Sequence, residues 1–145
     1  MPKPSSPTNR APEVALVLPM LPDIEVAAVR LAGEIGRFMR LEDNKVDEIE
    51  MALIEACINA FEHSQDPQRK VEIRFYLRPD ELEIWVTDHG RGFDYSQVHP
   101  PDIESRLHSE SKRGWGLKII ESLMDELVVD SQLGSGTSLR MTKKR

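Results

Sequence analysis

A single cysteine, Cys57, is all the thiol this chain carries, so an intramolecular disulfide is excluded. Its neighbours Ala56 and Ile58 suggest a buried thiol. No apolar run approaches the roughly 20 residues a bilayer-spanning helix needs. The first residues also lack the continuous apolar stretch of a secretory signal, which makes a cytoplasmic location the default and a membrane partner unexpected. Excess positive charge is missing as well. The net charge is −6, which argues against nucleic acid as a direct partner, since phosphate backbones reward basic faces. The one basic cluster, Lys143-Lys144-Arg145, reads as a solvated tail. What remains is a 145-residue chain, 39% apolar and 30% charged, with room for one soluble domain and one core.

Residues 1–12 hold Pro2, Pro4, Pro7 and Pro12 among polar residues and lack apolar periodicity, so a disordered tail is expected there and a single domain over 13–145. Val14 to Leu18 reads as a first strand ending at Pro19. From Asp23, a plausible N-cap, Ile24, Ala28, Leu31, Ile35 and Phe38 recur at helical spacing. A second helix, from about Asn44 to His63, carries Val46, Ile49, Leu53, Ala56 and Ala60 as its inward stripe. Val71, Ile73 and Phe75 alternate with polar neighbours, and Arg78-Pro79-Asp80 turns the chain into Leu82, Ile84 and Val86. Residues 93–112 are polar and unperiodic, a candidate lid. A third helix is expected to begin near Gly114, with Leu117, Ile120, Leu123, Met124 and Leu127 inward. A hairpin pairing Val128-Val129 with Thr137 to Met141 across Gly134-Ser135-Gly136 follows. The order implies an α/β two-layer sandwich, a mixed sheet of about five strands with three helices on one face.

Three clusters carry chemistry. Glu55 and Asn59 lie one turn apart and share a helix face near the core boundary. Asn is an indifferent helix former, yet its amide oxygen is a good ligand for Mg²⁺, and a carboxylate one turn away can accept a proton from an attacking hydroxyl. Alone, the pair also fits a polar helix face with an intrahelical contact. His63, a turn further on, reads as a structural hydrogen-bonder. Asp88-His89-Gly90-Arg91-Gly92 follows a strand directly, where a carboxylate points into the crevice that binds ligands in such sheets. Asp88 accepts hydrogen bonds and so suits an exocyclic amine such as adenine N6, while Gly90 and Gly92 permit positive φ and close approach to a flat ring. Alone, it is also an ordinary turn. Arg113-Gly114-Trp115-Gly116-Leu117 is placed to open a helix, where free amides form a nest for phosphate oxygens, with Arg113 adding charge; a plain hinge is the alternative. Trp115 reads as a packing residue.

The three clusters in this order, with a mobile loop between the last two, make an ATP site with a lid. They resemble a known family. Glu55-x-x-x-Asn59 is similar to the N-box of the GHKL ATPases, Asp88-x-Gly90-x-Gly92 to the G1 box and Gly114-x-Gly116 to the G2 box. Gly134-x-Gly136-Thr137 is similar to the closing motif, whose Thr commonly lies near adenine. The strings Glu55-Ala56-Cys57-Ile58-Asn59-Ala60-Phe61-Glu62-His63, Asp88 to Asp94 and Gly116 to Glu126 narrow the resemblance to the anti-sigma factor serine/threonine kinases, over residues 13–143. The G2 box departs from the pattern, being a sparse Arg-Gly-Trp-Gly. The resemblance implies the Bergerat ATP-binding fold, with Glu55 as general base and Asn59 as the metal ligand. Asp88 would read adenine, while Gly90, Gly92, Arg113, Gly114, Gly116, Leu117 and Thr137 complete the nucleotide pocket. It further implies Mg²⁺ and ATP as cofactors, a homodimer, a STAS-type antagonist as the phosphorylated partner, and a sigma factor sequestered as a result. The alternatives are a nucleotide-gated binding switch, a detached histidine-kinase catalytic domain, and a kinase of STAS scaffold proteins that binds no sigma factor.

Overall fold

Alternating apolar residues on five strands stack into rows across one sheet. The structure, a computed structural model, describes residues 11–64, 68–90, 92 and 109–145, with side chains of its third helix from Gly114 onward. The strands are β1 (Glu13–Pro19), β2 (Lys70–Leu77), β3 (Glu81–Asp88), β4 (Glu126–Gln132) and β5 (Gly136–Lys144). The helices are α1 (Glu25–Phe38), α2 (Asp43–His63) and α3 (Ser109–Leu123). The sheet order is β1-β2-β3-β5-β4. Every neighbouring pair is antiparallel, which corrects the expectation of a mixed sheet while keeping its strand and helix counts.

Register aligns Val14, Phe75, Ile84, Met141 and Leu127 in one row, and Leu16, Ile73, Val86, Leu139 and Val129 in the next. Both rows point at the helices, because side chains two residues apart share a face. Against them pack Ala28, Ala32 and Ile35 of α1, Ile49, Leu53, Ala56 and Cys57 of α2, and Leu117 and Ile120 of α3. Cys57 is fully buried, and burial pushes its thiol up to about 12, so the thiolate that oxidants attack is scarce. Gly36 lets α1 approach α2 closely, for a Cβ there would meet Val46 Cγ2 at 3.1 Å.

On the other side of the sheet, among the described residues, charged side chains take the place of a helical layer. Glu83 receives Arg78 at 2.7 Å and Arg140 at 3.5 Å. The two guanidiniums lie over the rings of Tyr76 and Trp85 at 5.8 and 5.9 Å. Arg74 bridges Glu13 and Glu72. Long stems laid flat on the strands explain how Tyr76, Glu83 and Thr142 are buried on an outward face.

Two local expectations change. Asp23 sits at φ 68°, and the N-cap of α1 is Ile24, which makes no side-chain cap bond; the short polar Asp tolerates the left-handed turn that feeds the helix. Lys143 to Arg145 is no solvated tail. Lys143 is buried and its ammonium donates to the Leu123 carbonyl and faces Glu48 at 3.5 Å, closing the end of α3. Arg145 donates to the Pro79 and Met39 carbonyls. The tail expected over 1–12 falls mainly on residues outside those described. No described helix is long and apolar enough to cross a membrane.

Candidate active site

A third row of the same sheet face, Leu18, Val71, Asp88, Thr137 and Ser131, turns from apolar to polar as it crosses β3. The core face thus becomes the floor of a cleft at one end of the sheet, and α2 supplies its wall. Ala56, Asn59, Ala60, His63 and Ser64 line it from α2, and Val86, Asp88, Gly92, Thr137 and Leu139 from the sheet side. Four residues singled out in the sequence, Asn59, Asp88, Gly92 and Thr137, therefore meet at one place.

Asp88 is 6% exposed, an expensive position for a carboxylate unless it is hydrogen-bonded. Oδ1 accepts from the Ser64 hydroxyl at 3.1 Å and from the Gly90 amide at 2.9 Å. Gly90 so contributes its N–H, while Gly92 is the glycine that takes positive φ, 69°. A Cβ on Gly92 would overlap the Gln132 carbonyl oxygen, and one on Gly136, at φ 80°, would overlap that of Asp88. Main chain thus interlocks with main chain where the segment after β3 crosses the β4–β5 turn. Thr137 pairs with Ser131 through their hydroxyls at 2.8 Å.

Asn59 presents a different situation. It is buried, and its Oδ1 has no hydrogen-bond partner, alone in this among buried side-chain oxygens and nitrogens of the described residues. An orphaned buried acceptor costs about 1–3 kcal/mol. A hard cation completing its shell with phosphate oxygens and water would use that oxygen, so the residues present fit Mg²⁺. No group of three or more His, Cys, Asp or Glu among the described residues could hold a metal.

Glu55 stands one turn before Asn59, half-buried at the seam between α2 and α3. Burial holds its carboxyl above the ordinary range, and the Glu62 carboxylate adds to the effect. Across the seam lies Gly116, whose added Cβ would stand 3.6 Å from Glu55 Oε2. Glu55 and Gly116 face each other there, but neither lines the cleft floor.

The Arg113 to Leu117 cluster departs most from expectation. α3 begins at Ser109, so Gly114 and Gly116 lie inside the helix and not at its open N-terminus. Amides past the first turn are committed to carbonyls four residues back, which leaves no free nest at these glycines. Ser109 to Arg113 includes good helix formers and extends the helix, although each interior glycine costs about 1 kcal/mol. Gly114 is buried. Leu117 belongs to the core, 4% exposed, and not to the cleft. Trp115, read as a packing residue, is 38% exposed. The Arg113 side chain and residues 93–108, where most of the candidate lid falls, lie outside the described residues. Ser64 was missed; a small hydroxyl just past the last turn of the Asn59 helix is the only signal it leaves.

Known proteins place this geometry. Residues 18–143 match the family model described as the histidine kinase-like ATPase domain. The serine-protein kinase RsbW of Bacillus subtilis is 32% identical over 142 residues, covering 93% of this chain and 87% of that one. This chain belongs to that family. The corresponding kinase of Halalkalibacterium halodurans is 34% identical over 124 residues, 83% of this chain and 75% of that protein. Among solved structures, the RsbU and RsbW domains of a Mycobacterium tuberculosis protein superpose with a TM-score of 0.69 at 17% identity. That match covers 92% of this chain and 32% of the longer chain, and it supports the fold.

Proposed function

We propose that this domain binds Mg-ATP in the α2–β3–β5 cleft and transfers the γ-phosphoryl group to a serine of a STAS-type antagonist protein. When the antagonist is phosphorylated, the domain sequesters a sigma factor. The observation that carries the reading is the buried, unpartnered Oδ1 of Asn59, set one turn from a carboxylate whose pKa is raised. A purely structural helix face has no use for that combination.

In this reading Asp88 accepts from the adenine amine, and Gly90, Gly92 and Thr137 shape the pocket around the base. Asn59 Oδ1 holds the cation, whose charge offsets that of the phosphates. Glu55 accepts the proton from the serine hydroxyl as the Oγ–P bond forms and the bond from phosphorus to the bridging oxygen of ADP breaks. Gly114, Gly116 and Leu117 would act from α3, supporting the seam that faces Glu55 rather than offering an open nest. Val17, Leu21, Val26 and Phe38, exposed beside edge strand β1 and helix α1, support a homodimer through those elements in a cytoplasmic protein.

The test is incubation with labelled ATP and serine-bearing candidate antagonists. Acid-stable label on a protein serine is the expected result, and Glu55→Ala should lose transfer by about 10²–10⁴-fold while still binding nucleotide. Label released only as free phosphate would favour the nucleotide-gated binding switch.

A further inference from the structure

The chain leaves α2 at Ser64, whose amide still donates to the Ala60 carbonyl at 2.9 Å while its backbone turns extended, with φ −73° and ψ 136°. That turn buries the side chain, 7% exposed, in the cleft wall and sets its hydroxyl 3.1 Å from Asp88 Oδ1. The Gly90 amide reaches the same oxygen at 2.9 Å from the opposite side of the cleft, just past β3. A carboxylate turns about its last side-chain bond over a broad, roughly two-fold potential, so one donor leaves its plane loose. Two donors on one oxygen, one from the helix layer and one from the sheet layer, fix that plane.

We propose that Ser64 is a positioning residue for base recognition: by holding Oδ1 it aims the Asp88 carboxylate at the amino group of adenine, so selectivity for a 6-aminopurine depends on its hydroxyl. This rests on the nucleotide reading above. A hydroxyl that merely satisfied a buried carboxylate would affect folding and every nucleotide alike. A positioning hydroxyl affects those nucleotides that carry the amine.

The experiment measures affinities of the parent protein, Ser64→Ala, Ser64→Cys and Ser64→Thr for ATP and for purine riboside triphosphate, which lacks the 6-amino group. Thermal unfolding of each variant runs in parallel. The parent should prefer ATP. Ser64→Ala should lose roughly five- to tenfold in ATP affinity with little change for the purine analogue, as should Ser64→Cys, whose thiol is a weak donor of similar shape. Ser64→Thr, which keeps the hydroxyl, should retain the preference. An undiminished preference for ATP in folded Ser64→Ala or Ser64→Cys overturns the proposal alone, as does an equal loss for both nucleotides. A parent that binds both nucleotides equally overturns the adenine reading of Asp88, and this proposal falls with it.

Discussion

Asn59→Leu should make the free domain more stable and useless for Mg-nucleotide. Leucine is close to asparagine in shape, and it removes an acceptor that is buried without a partner. Relief of that penalty is worth about 1–3 kcal/mol, less whatever the amide N–H groups contribute, leaving a net gain of about 1 kcal/mol. For a domain of this size that corresponds to a rise in Tm of roughly 3–5 °C. The parent, at a Mg-ATP concentration one hundred times its own Kd, should gain about 2.7 kcal/mol from ligand. The variant should gain little, so the order of the two melting curves reverses when Mg-ATP is added. Calorimetric unfolding of both proteins, with and without Mg-ATP, gives all four values. A variant destabilised by more than about 1 kcal/mol without ligand would refute the reasoning, and so would one that keeps the full ligand-dependent gain, because either result means the oxygen is not held in reserve for a cation.

Two glycine substitutions should act in opposite directions. Gly136→Ala combines φ 80° with overlap on the Asp88 carbonyl oxygen and should cost more than about 2 kcal/mol in urea unfolding. Gly116→Ala meets Glu55 Oε2 at an ordinary 3.6 Å inside a helix, so it should stabilise by up to about 1 kcal/mol by the same measurement. For Glu55, whose folded-state pKa burial raises above the ordinary carboxylate value, the folded state holds the proton more tightly than the unfolded one. Its contribution therefore weakens as pH rises from that value through the raised one, and Glu55→Gln should gain on the parent over that interval. Denaturation midpoints of the two proteins against pH check the sign; parallel curves would remove the carboxyl's burial from the account.

The parts of this site legible in the sequence are those that short-range periodicity controls. Glu55 and Asn59 fall on one face because a helix turns every 3.6 residues, and Asp88 ends a strand whose alternation is plain from Leu82 onward. The parts that were not legible depend on what the chain meets elsewhere. Ser64 reads locally as a residue after a helix, and its bond to Asp88 exists only because α2 is packed with its end against the end of β3. Lys143 reads as tail until β5 is set beside the last turn of α3. The start of α3 is hidden in the sequence because Ser109 to Arg113 offers no apolar residue to carry a period, and helix propensity there outweighs the glycine signal that follows. An all-antiparallel sheet could not be told from a mixed one, since alternation fixes which face a residue takes and not which strand lies beside it.

The position of β5 has a consequence for how the domain comes into being. It is the last strand in chain order, yet it lies between β3 and β4 and supplies Thr137 opposite Asp88. During vectorial synthesis β1, β2 and β3 can form a meander early, but β3 then shows an unpaired edge of Leu82, Ile84 and Val86 until the final segment emerges. Such an edge is a template for pairing with other chains. If the cleft is the nucleotide site proposed above, a nascent chain in that state would hold no nucleotide, because the cleft floor is missing along one side. On that proposal, closing the sheet and gaining the ligand would be one event, and nucleotide present at that moment would favour the finished register over chaperone-bound or aggregated intermediates.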